Sequence, residues 1–356
     1  MSKKRRLWKC PQLLAVTLLL AGGFSPVRAE GIPDSPGRGI DPAAVRSAGQ
    51  RGARWLVSRA RPDGALARSE LSKFEVWDTV EGLRALAAWL PEGDPLIGRG
   101  LDFLKKAETP EGLLNHNRRQ PGACCLETTA EYVRLLAGQE AEIAVEKARL
   151  LAKRRIPGRG WRIENPAVPP ELREFPSTSA FAILALREAG LPLPAESMRW
   201  IETFQKREGD FGYLPQGYGT PFYPLCIITE LFGDNISRSE KLCSSARSFI
   251  LANQLDFGAF SSESEGSSPE LASALALEAL LFAGQPPEDE AISKGISWLL
   301  SRQREDGSWS GGYFPGSRHK NDVYCTARVL LLLEDYLTRL GISPDPIDIP
   351  GSLSPK

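Results

Sequence analysis

The chain has 356 residues, 42% hydrophobic and 25% charged, with 44 basic and 44 acidic side chains. That length buries a large core and permits one to three domains, and the composition is that of an ordinary globular protein. The zero formal charge hides an uneven start: residues 1–29 hold six basic side chains and no acid, leaving 38 basic against 44 acidic in the remainder, a balance that gives no support for nucleic-acid binding.

Residues 1–29 read as a signal peptide. Lys3 to Arg6 and Lys9 precede an apolar run from Leu13 to Phe24, and Val27-Arg28-Ala29 places small residues where a signal peptidase cuts. The apolar run is shorter than the roughly 20 residues needed to span a bilayer. An exported (periplasmic or secreted) protein without a membrane span is the expectation. Export leaves five cysteines, Cys124, Cys125, Cys226, Cys243 and Cys325, an odd number with no zinc-finger spacing.

Residues 30–42 are rich in Gly, Pro and Asp and read as a flexible linker. From there to residue 340 the pattern is helix, glycine turn, helix, six times over. The turn glycines, Gly64, Gly112, Gly158, Gly209, Gly258 and Gly307, are 46 to 51 residues apart. An apolar residue follows each of them closely: Leu66, Leu114, Trp161, Phe211, Phe260 and Trp309. After each turn comes a second helix in a common register. Thr79-Val-Glu-Gly-Leu83-Arg matches Thr129-Ala-Glu-Tyr-Val133-Arg, and Ser179, Pro224, Ser273 and Thr326 open the corresponding stretches. First helices such as Arg51 to Arg61 carry many charges. Second helices such as Ser273 to Ala283 are apolar nearly all round, which marks burial on several sides. Six exposed first helices around six buried second helices predict an all-α fold, an α/α toroid or (α/α)6 barrel; an open solenoid would need polar end caps, and none is visible. Residues 341–356 form a Pro-rich tail without periodicity.

The repeated Gln-x-x-x-Gly-x-aromatic ending, clearest at Gln303 to Trp309 and repeated at Gln205 to Phe211 and Gln254 to Phe260, resembles the prenyltransferase and squalene-cyclase repeat superfamily. The resemblance covers residues 43 to 340. It implies a central cavity whose ligand meets the N-terminal ends of the inner helices, and it implies fold more firmly than activity. In the motif itself Gln303 is expected to bond backbone at a helix end, and Trp309 to pack on a neighbouring hairpin.

Three stretches at those helix starts resemble family sites, and each departs from its pattern. Glu75-Val-Trp77-Asp78-Thr79 matches the Asp-x-Asp-Asp-Thr signature of cyclases that protonate a polyprene, but Trp77 replaces the central acid. That leaves Asp78 and Thr79 as helix caps with Trp77 packed beside them. Asp322-Val-Tyr324-Cys325-Thr326 resembles the Asp-x-Tyr-His-Thr stretch of protein prenyltransferases, with Cys325 in place of the zinc-binding His. Residues 265–270, where the other ligands belong, contain no Cys. Cys125-Leu-Glu127-Thr128 resembles the Cys-x-Glu-Gln thioester of complement-like domains, with Thr128 where Gln must stand.

In a closed ring the first, second and sixth inner helices are neighbours. Their mouths then gather Asp78, Glu127 and Asp322 as candidate acids and bases, and His116, Cys125, His319 and Cys325 as candidate zinc ligands. A Cys125–Cys325 or Cys124–Cys325 disulfide across the seam is the alternative use of the thiols. Trp77, Tyr223 and Tyr324 are candidate ligand-binding aromatics, with Phe175, Tyr213, Tyr218 and Phe222 near the third and fourth mouths. The leading expectation is a cyclase- or prenyltransferase-like protein without the known catalytic signatures, binding an apolar or oligomeric small molecule, or a protein partner, in its cavity. A zinc-dependent or cyclase-like enzyme and a structural interaction scaffold are the alternatives.

Overall fold

The structure is a computed structural model. It describes residues 40–67, 74–118, 124–164, 168, 173–212, 220–233, 236–260, 268–312 and 320–347. The leader, His319, Tyr213, Tyr218 and the end of the tail lie outside the described residues.

Twelve helices alternate outer and inner along the described chain. The outer set is α1 (Pro42–Ser58), α3 (Pro95–Lys106), α5 (Ala141–Lys153), α7 (Ala195–Glu202), α9 (Ile236–Ala252) and α11 (Glu290–Ser301). The inner set is α2 (Glu75–Trp89), α4 (Leu126–Gln139), α6 (Pro176–Glu188), α8 (Phe222–Gly233), α10 (Pro269–Phe282) and α12 (Asp322–Arg339). No described helix is long and apolar enough to cross a membrane.

Local chemistry sets the starts. Asp41, Asp94 and Asp289 cap α1, α3 and α11, each carboxylate accepting the N–H two residues on at 2.8–2.9 Å. Proline occupies the first turn of α1, α3, α6 and α10, where its missing N–H costs nothing. Outer helices bury one stripe; α6 is buried continuously from Pro176 to Leu186 and α10 from Glu270 to Leu281. That difference is what sorts them into two rings.

The ring is closed. Each inner helix packs on the next, α2 on α4 through to α10 on α12, and α12 packs back on α2 with α1 beside it. The glutamine motif makes the joint. Gln205 Nε2 donates to Gly209 O (3.1 Å) in its own turn and to Leu242 O (2.9 Å) in the next outer helix. Gln254 does the same with Gly258 O and Ala291 O. For Gln303, in the last repeat, the next outer helix is the first: its amide bonds Gly307 O and Ala48 O, both at 2.9 Å. Trp55 Nε1 adds a bond to Asp306 at 3.0 Å across the same seam. The open solenoid is thereby excluded, and the disulfide staple is corrected: all five described cysteines are free, and backbone-directed side chains close the seam instead.

Gly64 and Gly307 show why the turn needs glycine. Their φ values are 93° and 92°, and a Cβ would fall 2.2 Å from Arg99 O and 2.6 Å from Arg51 O, both on the next outer helix. The apolar residue after the turn is held by a hydroxyl of its inner helix. Thr79, Thr129, Ser179, Ser273 and Thr326 accept the N–H of Leu66, Leu114, Trp161, Phe260 and Trp309 at 2.8–3.1 Å. Pro224 stands at this position in α8 and cannot.

Gln303→Leu should therefore cost about 1–3 kcal/mol, since it removes the amide that bonds Gly307 O and Ala48 O across the seam. A thermal melt reads this as a drop of several degrees, and an unchanged melt would contradict the joint. Beyond α12, Ile347 is buried and its N–H bonds Trp89 O at 2.8 Å, so the described start of the tail is docked at the far end of α2.

Candidate functional site at the N-terminal mouth

All six inner helices run in the same direction, so their N-terminal ends meet at one mouth. Trp77 (α2), Phe181 (α6), Tyr223 (α8) and Tyr324 (α12) form one aromatic layer there. Trp77 lies 5.7 Å from Tyr324 and 6.3 Å, edge-on, from Phe181, and Phe181 lies 5.8 Å from Tyr223 between ring centroids. Contacts between α2 and α6, which do not adjoin in the ring, mean that the layer spans the lumen. The three expected aromatics come together, with Phe181 as the link that sequence reasoning missed. Its signal was bulk: a Phe in a helix otherwise lined by Ser, Ala, Ile and Leu. Phe222 instead packs on Phe260 and Phe249, outside this layer.

Asp78 is not a cap. It is the fourth residue of α2, whose first N–H groups are taken by a backbone carbonyl: His116 O accepts Val76 N at 3.0 Å and Trp77 N at 3.4 Å. Thr79 is likewise inside the helix, donating to Glu75 O. Asp78 is 6% exposed, and its buried Oδ1 has no hydrogen-bond partner. Burial, helped by the nearby Glu81 carboxylate, pushes its pKa well above the usual range.

Glu127, in the first turn of α4, is reached by three hydroxyls: Thr178 Oγ1 at 2.8 Å, Ser177 Oγ at 3.2 Å and Tyr223 OH at 3.1 Å. Burial still raises its pKa against their combined pull. Glu127 thus ties the α4, α6 and α8 mouths together. Asp322 faces elsewhere: its carboxylate accepts Gly311 N at 2.7 Å and pairs with Arg304 at 3.0 Å, bracing the loop after the last turn.

His116 and Cys125 do meet. The His116 ring tilts against Phe74 at 5.8 Å, and His116 and Cys125 are near enough to shift each other's titration. Cys125 caps α4, its Sγ accepting Thr128 N at 3.5 Å. His116 and the cap outweigh burial and lower the Cys125 pKa, while that of His116 rises. Cys124 hydrogen-bonds Glu164 at 2.8 Å, and burial with that carboxylate pushes it up to about 12. Cys325 is buried beside Ser268, 3.9 Å away, and is pushed up as well. Among the described residues no three His, Cys, Asp or Glu side chains are arranged to hold a metal ion.

One to two turns deeper lies a layer of buried charge. Arg134 bonds Glu131 (2.9 Å) and Glu188 (2.7 Å) and also pairs with Glu230, while Arg84 pairs with Glu131. Arg328 pairs with Glu278 and lies 3.5 Å from Glu81. The sequence held the signal in its repeated Glu81-x-x-Arg84 and Glu131-x-x-Arg134, a spacing that stacks both charges on one helix face. Burial outweighs the attraction of Arg328 and lifts Glu278 to about 7, from 4.5. A group with a raised folded-state pKa stabilises fully below its unfolded value and loses that contribution as pH rises through the folded one. Stability should therefore fall between pH about 4.5 and about 7. Glu278→Gln should flatten that slope in urea titrations, and an unaltered slope would contradict this reading.

No family model and no curated protein matches the chain. Solved structures do. The type II terpene cyclase MstE from Scytonema, in complex with geranylgeranyl dihydroxybenzoate, matches with TM-score 0.67 and 17% identity over 84% of this chain and 99% of that one. A protein from Actinoplanes gives 0.66 and 19% identity over 83% and 99%. ent-Copalyl diphosphate synthase from Streptomyces platensis gives 0.52 and 18% identity over 75% of this chain and 50% of that one. At these identities the likeness concerns architecture: the chain has the terpenoid-cyclase-like α/α toroid fold.

Proposed function

We propose that the protein binds an apolar, prenyl-like chain bearing an uncharged oxygen head at the aromatic mouth of the ring, and that it does so without cyclising it. The observation that carries this reading is Asp78, a buried carboxyl with an unpartnered oxygen, one residue from Trp77. Protonating an alkene requires an unusually strong acid. Both influences on Asp78 act the other way, weakening it. A carboxyl kept protonated by burial is suited to donating a hydrogen bond to a ligand oxygen. The aromatic layer supplies the apolar wall.

Charge around the mouth argues against a diphosphate head. Arg61 and Arg118 are spent on Glu75, Arg302 on Glu270 and Arg304 on Asp322, at 3.0–3.3 Å. A neutral head also suits the exported location read from residues 1–29, away from cytosolic prenyl diphosphates. MstE holds geranylgeranyl dihydroxybenzoate, which has the kind of prenyl chain intended here on a different, acidic head.

Equilibrium dialysis of the mature protein against labelled geranylgeraniol tests this. Asp78→Asn, which keeps a donor, should bind within about twofold of the parent, and Asp78→Leu about five- to tenfold more weakly, the worth of one hydrogen bond. Tighter binding of geranylgeranyl diphosphate than of the alcohol, or no binding of either, would sink the proposal.

A further inference from the structure

We propose that Glu81 restricts the ligand to a free alcohol, accepting the hydroxyl hydrogen while Asp78 and Arg328 donate to the hydroxyl oxygen. The inference rests on the reading above and names the head group which that reading left open.

Helix register places the three residues together. Glu81 stands four residues after Trp77 on α2, and Arg328 four after Tyr324 on α12, so each lies one turn beneath its aromatic neighbour. The deeper pair meets as the rings do. Arg328 Nη1 is 3.5 Å from Glu81 Oε2, beneath a Trp77–Tyr324 pair 5.7 Å apart. At about 100° per residue, Glu81 projects between Trp77 and Asp78, about 40° from the first and about 60° from the second. Asp78 and Glu81, three residues apart, are neighbours on one face of α2. From α12, Arg328 also reaches past α10: its Nη2 pairs with Glu278 of that helix and lies 3.3 Å from Cys226 Sγ on α8. α10 stands between α8 and α12 in the ring, so this group occupies the lumen, as the aromatic layer above it does.

Four buried polar atoms here have no hydrogen-bond partner: Asp78 Oδ1, both carboxylate oxygens of Glu81, and Arg328 Nε. Glu81 is 1% exposed and Arg328 6%. Such atoms are uncommon even singly in a folded protein, and four in one place argue for a ligand that completes them.

The set also states what that ligand must offer. A guanidinium only donates, and Asp78, kept protonated by burial and by Glu81, donates as well. The Glu81 carboxylate only accepts. An ether or aldehyde oxygen would serve the donors and leave both Glu81 oxygens bare. A hydroxyl serves donors and acceptor together. Arg328 already balances the charge of Glu81, so the arrangement does not call for a cation. The apolar tail cannot continue inward, because Arg84, Arg134 and their carboxylates follow. The hydroxyl therefore points into the ring, and the tail leaves through the aromatic layer toward the mouth.

Equilibrium dialysis of the unsubstituted protein against labelled geranylgeraniol, its methyl ether and the aldehyde geranylgeranial tests this. The alcohol should bind at least tenfold more tightly than either. The aldehyde has no added bulk, so its loss is not steric. Glu81→Gln places an amide N–H where Glu81 has only acceptors. It should bring the aldehyde to within about threefold of the alcohol, and Arg328 keeps Glu278 as its partner in that variant. An alcohol bound no more tightly than the aldehyde by the unsubstituted protein, or a tenfold preference that survives in Glu81→Gln, would overturn this inference and leave the reading above in place. Binding of none of the three would overturn both.

Discussion

Replacing Arg134 with methionine should cost the fold about 3–5 kcal/mol, the largest single effect expected outside the turns. The guanidinium is 4% exposed and serves three carboxylates at once: Glu131 on its own helix, Glu188 on α6 and Glu230 on α8. Burial alone would disfavour its charge, but Glu230 and Glu188 more than offset that and hold the guanidinium protonated. Without it, Glu230 loses the foremost of the cations that keep its pKa low, and Glu131, fully buried, keeps only Arg84. The cost arises from stranding charge, not from losing bonds. Arg134→Met combined with Glu131→Gln and Glu230→Gln should therefore recover much of the loss. Urea denaturation at pH 7 measures both. A loss below about 1 kcal/mol in the single variant would mean that water already reaches this layer.

Trp309→Ala should cost about 3–5 kcal/mol. The indole is fully buried, its Nε1 bonds Leu299 O at 2.7 Å, and its backbone N–H is fixed by Thr326 at 3.1 Å. It locks α11 to α12 and packs against Gly52 of the first repeat: a Cβ on Gly52 would fall 2.8 Å from the indole ring. Truncation opens a cavity where the last repeat meets the first. Phe257, 53% exposed in the preceding turn, is the control, and its alanine variant should stay within about 0.5 kcal/mol. Equal melting temperatures for both variants would show that the aromatic after the glycine is not the structural plug.

The ring was legible because its information is local and repeated. A helix end, a glycine at positive φ and an apolar residue folding back are turn chemistry, and six copies fixed how many hairpins there are. Which carbonyl Gln303 reaches was not legible, since Ala48 is 255 residues away. The mouth was legible in part. Trp77, Tyr223, Tyr324, Asp78, Glu127, His116 and Cys125 stood out because they occupy inner-helix starts or the loops before them. Their partners were hidden by ring geometry: Phe181 reaches Trp77 across the lumen, and Tyr223 reaches Glu127 from two helices away. Cap assignments failed at Asp78 because a carbonyl from the following repeat, His116 O, does that job. The charged layer was overlooked for the opposite reason. A Glu-x-x-Arg pair reads as a solvated helix face until the surrounding ring turns that face inward.

The central claim is that this protein works at the N-terminal mouth of its inner ring. The most direct measurement is photocrosslinking of the protein with a diazirine-bearing geranylgeraniol, followed by peptide mapping. The account predicts labelling of the segments carrying Trp77, Phe181, Tyr223 and Tyr324, competed by unlabelled alcohol. Labelling confined to the outer helices, or spread evenly without competition, would contradict it and leave the ring as a scaffold.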